Sequence, residues 1–460
     1  MGAGKSTLGP IVAEQLGRAF IDVDRELERE LGKSVAEVFE ESGESEFRGH
    51  EERRTVAALQ APDPAVIALG GGAVETPAVR DALRERAFTI VLDVDADTAW
   101  RRSSGGDRPL AREESDFRAL HERRRELYDG VADAHAGDAD DIVLTAGAVH
   151  VDAGSLELLG SLVTGEGEVA LVSDPHVAGI HGAAAQVSLR DRLAAVHEIP
   201  QGEEAKSPAV AARLWSEVRL DRGGTLAALG GGCTTDVAGF VAATYLRGID
   251  WVPVPTTLVG QVDAAIGGKT GINLPAGKNL VGAFHWPARV VVDARLLDSL
   301  PDRELREGMA EVVKTGLLAE EPLWDLPLPE LVRRTAAFKT ALCLRDPYDR
   351  GDRAFLNLGH TFAHALEAAA GYEGLTHGTA VGLGLLAALR LSGRPTDVVE
   401  EVLAPKPVHV DRGRAWAALR RDKKARAGEL RVVLLRDAGP AVEARPEREV
   451  RAALDQLIAD

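Results

Sequence analysis

The pentapeptide ALGGG occurs twice, at Ala68–Gly72 and at Ala228–Gly232, and each copy closes an apolar run of strand length. An apolar run ending in glycines and followed by a helical pattern is the unit of a parallel α/β sheet. Before Ala136 the runs "AFIDVD", "AVIALGGG" and "TIVLDVD" alternate with amphipathic stretches. The small, acidic segment His135–Asp141 reads as a linker. The alternation then resumes with "VALVSD", "TLAALGGG", "WVPVPTT" and "RVVVDARLL". Past Pro301 helical patterns dominate, apart from "LRVVLL" at Leu430–Leu435. The expected fold class is α/β, in three parts: a parallel-sheet unit over 1–138, a second α/β unit over 139–296 and a mostly helical unit over 297–460.

At 460 residues the chain exceeds one ordinary domain. Its formal charge of −18 speaks against nucleic acid or an anionic membrane as a partner and leaves small-molecule substrates. Two cysteines, Cys233 and Cys343, cannot form a disulfide framework, which points to a reducing cytoplasm. The longest apolar stretch, Ala380–Leu389, is too short to span a bilayer and reads as a buried helix. Met1 leads directly into a Gly/Lys loop, so no signal peptide is expected.

"MGAGKST" holds the end of the pattern GxxxxGK[ST], at Gly4-Lys5-Ser6. Backbone amides of such a loop cradle phosphates, the lysine reaches the β/γ oxygens and the hydroxyl binds Mg²⁺. Gly2, Ala3, Gly4, Lys5, Ser6 and Thr7 are therefore candidates for ATP. The motif's first glycine and the strand before it are absent from the sequence, which leaves open either a start set too late or a truncated, inactive kinase. "FIDVD" sets Asp22 and Asp24 two apart on an expected strand, hence on one face. They could serve Mg²⁺ and a substrate hydroxyl, or simply form a solvated strand end. Arg48, Arg108, Arg123, Arg124 and Arg125 add cations, each ordinary for a helix surface.

In order and spacing these pieces resemble shikimate kinase over roughly residues 1–130. The resemblance implies a P-loop kinase domain. Asp24 would hold a shikimate hydroxyl and act as base, and Asp22 would join Ser6 at Mg²⁺. Arg48 and Arg124 would clamp the carboxylate, Gly70, Gly71 and Gly72 would meet shikimate, and Arg108 would steady the transferring phosphoryl group.

The second half holds longer patterns. "PTTLVGQVDAAIGGKTGINLPAGKNLVG" gathers Asp263, Lys269, Lys278 and Asn279 in a Gly-rich stretch without apolar period, read as irregular and suited to an anionic ligand. "GMAEVVKTG" spaces Glu311 and Lys314 by three on one helix face. "LNLGHTFAHALE" spaces His360 and His364 by four, and "LTHGTAVGLG" adds His377. One Glu with two or three His is a zinc-competent set, and spacing alone pairs His360 with His364. A lone helical His is more often a core or surface residue.

From about residue 141 onward these segments resemble 3-dehydroquinate synthase. That implies a Rossmann-like NAD-binding α/β domain followed by a mostly α-helical metal-binding domain. The resemblance makes Glu311, His360 and His377 ligands of Zn²⁺ (or Co²⁺) and moves His364 to the substrate phosphate and proton traffic. For NAD it implies Asp174, Glu203, Lys206, Gly231, Gly232, Asp236, Thr256, Thr257, Leu296, Leu297, Asp298 and Ser299. For substrate it implies Arg247, Asp263, Lys269, Lys278, Asn279, Lys314, Lys339, Arg353 and Asn357, with Lys423 and Lys424. Asp349 stands where the family has a proton-accepting Glu, and Glu307 where it has a small or amide residue. The family implies a homodimer through this half.

The implied activities are 3-dehydroquinate synthase, acting on 3-deoxy-D-arabino-heptulosonate 7-phosphate, and shikimate kinase. The alternatives are a synthase with an inactive kinase remnant, a related sugar-phosphate cyclase, a metal-dependent polyol dehydrogenase, and a non-enzymatic scaffold.

Overall fold

The computed structural model describes residues 2–103, 113–371, 374–422 and 429–459. The chain divides into two compact units, Met1–Ala146 and Gly147–Asp460.

In the first unit the helix Lys5–Gln15 follows a loop in which Gly2 and Gly4 take positive φ. Strand Ala19–Asp22 pairs in parallel with Ala65–Ala68, and Ile90–Leu92 pairs in parallel with Ala134–Ala136. No hydrogen bond joins the two pairs among the described residues, so the expected sheet is divided. Two local expectations need correction. Asp24 is not on a strand: the strand ends at Asp22, whose side chain accepts from Arg25 N–H and caps the helix Val23–Leu31, and Asp24 lies in that helix's first turn. Nor is His135–Asp141 a linker. It spans the end of strand Ala134–Ala136 and the start of helix Ala139–Ala146, and the first compact unit runs to Ala146, beyond the expected 138. A three-residue strand and an Asp-rich first turn carry too little apolar pattern to be read as elements.

The second unit is built on a parallel sheet ordered Leu193–Glu198, Val169–Ser173, Thr225–Gly230, Asp250–Pro255. Successive strand residues face opposite sides. Ala170, Val172, Leu226 and Ala228 pack with Leu214 and Val241 from the helices Pro208–Glu217 and Gly232–Thr244. Leu171, Ala227 and Leu229 pack on the other face with Leu159, Ala185 and Leu189. Burial on both faces is why these strands read as unbroken apolar runs. Val149–Val151 and Val290–Val292 form a further parallel pair.

The stretch read as irregular holds a short helical turn, Gly260–Ala264, and then an antiparallel hairpin, Lys269–Leu274 with Gly277–Phe284. Much of its second strand is exposed, so no apolar alternation marked it.

Beyond Ser299 come the helices Asp302–Ala319, Leu328–Arg345, His360–Ala369 and His377–Ser392. They share a core with the hairpin Glu429–Arg436 and Gly439–Pro446. Ala380–Leu389 is buried throughout. No described helix is long and apolar enough to cross a membrane.

Candidate active sites

In the second unit three helices deliver one group. Glu311 comes from the middle of Asp302–Ala319, while His360 and His377 are the first residues of their helices. One ligand atom from each lies within 4.8 Å of the others. His377 Nε2 is 3.2 Å and His360 Nε2 3.4 Å from Glu311 Oε1. His364 stands beside this group, its ring edge-on to His360 with centroids 5.5 Å apart. The three residues brought together are those the resemblance implied, Glu311, His360 and His377, and not the pair His360 and His364 that spacing alone suggested. Carboxylate and imidazole donors converging this closely fit a zinc-type ion.

Burial opposes charge on Glu311, but Lys314 and His360 outweigh it and hold its carboxyl well below the usual range. Burial likewise opposes the His377 cation, yet hydrogen bonds to Glu311 and Glu367 push it up to about 10. Glu367 Oε1 lies 3.3 Å from His377 Nδ1. The sequence reading missed this carboxylate, although it lies seven residues after His360 and so on the same helix face.

His360, His364 and His377 border a cleft of about 1090 Å³, with Glu311 buried behind them. Asp174, Glu203, Lys206, Gly231, Gly232, Asp236, Thr256, Thr257 and Ser299 line it, as do Asp263, Lys269, Lys278, Asn279, Lys314, Lys339, Arg353 and Asn357. Gly231 is the N-cap and Gly232 the first residue of the helix Gly232–Thr244, and both line the cleft, so the cleft borders a helix start of the kind that favours anions.

Five lysines of the cleft each have a carboxylate partner. Lys339 Nζ donates to Asp263 at 2.7 Å, Lys206 to Asp236 at 2.5 Å, Lys278 to Glu203 at 2.8 Å and Lys269 to Asp349 at 2.7 Å. Lys314 pairs with Glu311. Lys314 is fully buried, but Glu311 and Asp263 outweigh the cost and raise its affinity for the proton. Lys206 Nζ also donates to Asn279, which takes φ 55°. Arg353 is buried and donates to the carbonyls of Gly267 and Pro347.

Several expected residues are not brought to the cleft. Arg247 is exposed at φ 71°, in the turn after the helix Gly232–Thr244. Leu296 and Leu297 are core residues, and Asp298 is exposed on the same turn. Among these only Ser299 borders the cleft, where its hydroxyl lies 2.9 Å from His181 Nε2. Asp349 does not line the cleft and among the described residues meets it through Lys269. Lys423 and Lys424 lie outside the described residues, as does Arg108 in the first unit.

In the first unit Ser6 Oγ donates to Asp22 Oδ2 at 2.9 Å, directly behind the Gly4-Lys5 turn. Burial raises the Asp24 carboxyl above its ordinary value. Arg48 pairs with Glu44 and Glu51 and lies over the rings of Phe39 and Phe47. Arg124 is buried and donates to Glu75 at 2.8 Å, and the Tyr128 hydroxyl donates to the Gly71 carbonyl at 2.6 Å. A Cβ on Gly70 would lie 2.2 Å from Glu51 Oε1 and 2.7 Å from Asp24 Oδ1; one on Gly72 would lie 2.2 Å from Arg48. The buried Glu51 escaped the sequence reading, although it follows Arg48 by three on one helix. Glu75 carried no local signal.

A family model for shikimate kinase matches residues 1–146. Models for the N-terminal and C-terminal parts of 3-dehydroquinate synthase match residues 196–307 and 308–424. The 3-dehydroquinate synthase of Bordetella pertussis is 38% identical over 342 residues, covering 67% of this chain and 95% of the relative. That of Symbiobacterium thermophilum is 42% identical over 323 residues, covering 62% and 90%. The solved structure of 2-deoxy-scyllo-inosose synthase with carbaglucose-6-phosphate, NAD⁺ and Co²⁺ is 25% identical, with TM-score 0.60, over 67% of this chain and 96% of that one. That of 2-epi-5-epi-valiolone synthase from Streptomyces hygroscopicus subsp. jinggangensis 5008, with NAD⁺ and Zn²⁺, is 26% identical, with TM-score 0.59, over the same shares. The chain therefore belongs to the 3-dehydroquinate synthase family, with a shikimate kinase domain at residues 1–146.

Proposed function

We propose that the two units catalyse two steps of chorismate synthesis. The second converts 3-deoxy-D-arabino-heptulosonate 7-phosphate to 3-dehydroquinate and phosphate. The first phosphorylates shikimate from ATP. The observation that carries the synthase reading is the convergence of Glu311, His360 and His377 at the wall of a lysine-rich cleft. A polyol has no need of so many cations, whereas a sugar acid phosphate carries two anionic groups for them.

Glu311, His360 and His377 would hold the metal, and the amides at Gly231 and Gly232 would meet the NAD pyrophosphate. When bound, the metal supplies a Lewis acid and NAD a hydride acceptor that is restored in each turnover. Lys269, Lys278, Lys314, Lys339 and Arg353 bind the substrate's carboxylate and phosphate, trading part of their contact with Asp349, Glu203 and Asp263. His364 hydrogen-bonds the phosphate and relays a proton through its imidazole. Asp263 keeps Lys314 and Lys339 oriented. Asp349 steers Lys269, as a carboxylate shorter than the family's Glu.

In the first unit Gly2–Thr7 would cradle the ATP phosphates. The hydroxyl of Ser6 and the carboxylate of Asp22 are hard oxygen donors suited to Mg²⁺. Asp24 accepts the proton of the shikimate hydroxyl, and Arg48 and Arg124 hold its carboxylate. A homodimer through the second unit, in the cytoplasm, belongs to the same proposal. Two assays on one preparation test it. Phosphate should be released from the heptulosonate phosphate without net NADH, and shikimate should be phosphorylated only with ATP. Net NADH formation would favour a dehydrogenase. Phosphate release without shikimate phosphorylation would leave the first unit a non-catalytic module.

A further inference from the structure

Glu307 lies one helical turn before Glu311 on Asp302–Ala319, and four residues along an α-helix return to the same face. Its carboxylate crosses to the start of the helix His377–Ser392. There Oε1 accepts from the Thr376 hydroxyl at 2.6 Å, and Oε2 accepts from the Gly378 N–H at 2.6 Å. Thr376 is the N-cap of that helix, but its own side chain caps no amide. The first amides of a helix need acceptors and favour negative charge. Here a neighbouring helix provides both.

The approach is close. A Cβ on residue 378 would lie 2.4 Å from the Glu307 carbonyl oxygen and 2.7 Å from its Oε2, so glycine is required there. The residue clamped this way adjoins His377. That ring is held separately, with Nδ1 at Glu367 and Nε2 at Glu311.

We propose that Glu307 is a positioning residue for the metal centre. By fixing Thr376 and Gly378 to the helix that carries Glu311, it sets where His377 Nε2 stands relative to Glu311 and His360. One helix thus places two of the three ligands, Glu311 directly and His377 through the clamp. The inference rests on reading those three residues as metal ligands.

The test uses the full chain stripped of metal. Zn²⁺ affinity is measured against a competing chelator, and the visible absorption of the Co²⁺ form is recorded. Wild type should bind one ion in this site, and His360→Ala should lose it. Glu307→Ala should weaken binding by about ten- to a hundredfold, the range of outer-shell metal partners, and should shift the Co²⁺ spectrum. Glu307→Gln keeps an acceptor oxygen and should restore both readouts. Gly378→Ala should reproduce the Glu307→Ala result from the other side, and it decides the matter should Glu307→Ala not fold. Wild-type affinity and spectrum in Glu307→Ala, or in Gly378→Ala as its substitute, would sink the clamp and leave the ligand set intact. A wild-type chain that binds no ion, or a His360→Ala chain that binds as tightly, would instead overturn the metal reading and the clamp with it.

Discussion

At Ala68–Gly72 the chain leaves its strand for a short 3-10 turn, Ala73–Glu75, whereas at Ala228–Gly232 the same five residues run straight into the helix Gly232–Thr244. The space around the glycines differs as well. Gly70 and Gly72 face the unit's own carboxylates and guanidinium, with Asp24, Glu51 and Arg48 where a Cβ would be. In the second copy Gly230 is packed against the uncharged Thr234 side chain, 2.5 Å from such a Cβ, while Gly231 and Gly232 meet the Thr257 side chain and the Ala264 methyl, each at 3.1 Å. The first turn is glycine because charged side chains occupy the space. The second is glycine at a helix start that opens on a cleft. Identical local sequence thus fills two roles, set by what packs against it from elsewhere in the chain.

The sharpest way to break this picture of two separate sites is His360→Ala. It should abolish metal retention and lower synthase turnover by about a thousandfold or more, since a Lewis-acid metal contributes several kcal/mol. Shikimate phosphorylation in the same preparation should be unchanged, and a shared loss would refute independent sites. Lys5→Ala should do the reverse, lowering the kinase rate by about a hundred- to a thousandfold with phosphate release from the heptulosonate phosphate intact.

The two turns can be compared directly by Gly70→Ala and Gly231→Ala. The first should displace Glu51 and Asp24, and a shift near 1 Å can lower the kinase kcat by about a hundredfold. The second asks Thr257 to move only a few tenths of an ångström, and should raise the KM for NAD while sparing synthase kcat. Equal effects on the two activities would erase the distinction. The smallest effect is a pH limb. Burial raises Asp24 above its ordinary value of 3.8, so its base form is lost at higher pH than for a free Asp. The kinase kcat/KM should fall with acid through an inflection above 3.8, and the synthase profile should lack that inflection.

The central strands were legible because residues buried on both faces make continuous apolar runs, as in Val169–Ser173 and Thr225–Gly230. Leu193–Glu198 lies at the sheet's edge with mixed exposure, and in the hairpin Lys269–Phe284 Gly, Lys and Asn interrupt the apolar residues, so neither left such a run. The glycine, lysine and histidine patterns carried the family resemblance, and with it most residues that line the cleft. Side chains that act on other side chains were not legible. Glu51 and Glu367 look like ordinary polar helix positions until Gly70 and His377 arrive from other elements, and Glu307 stood out only as a departure from the family's small or amide residue.

The sequence by itself determined the α/β architecture, the phosphate-loop pattern Gly4-Lys5-Ser6 and the chemical types present, because periodicity and composition are local properties. Only the tertiary structure decided which of them meet. His360 and His364 share a helix face by arithmetic, but the ligand group takes Glu311 and His377 from two other helices. An ion's ligands must converge within a few ångströms in three dimensions, and spacing along one helix constrains a single direction.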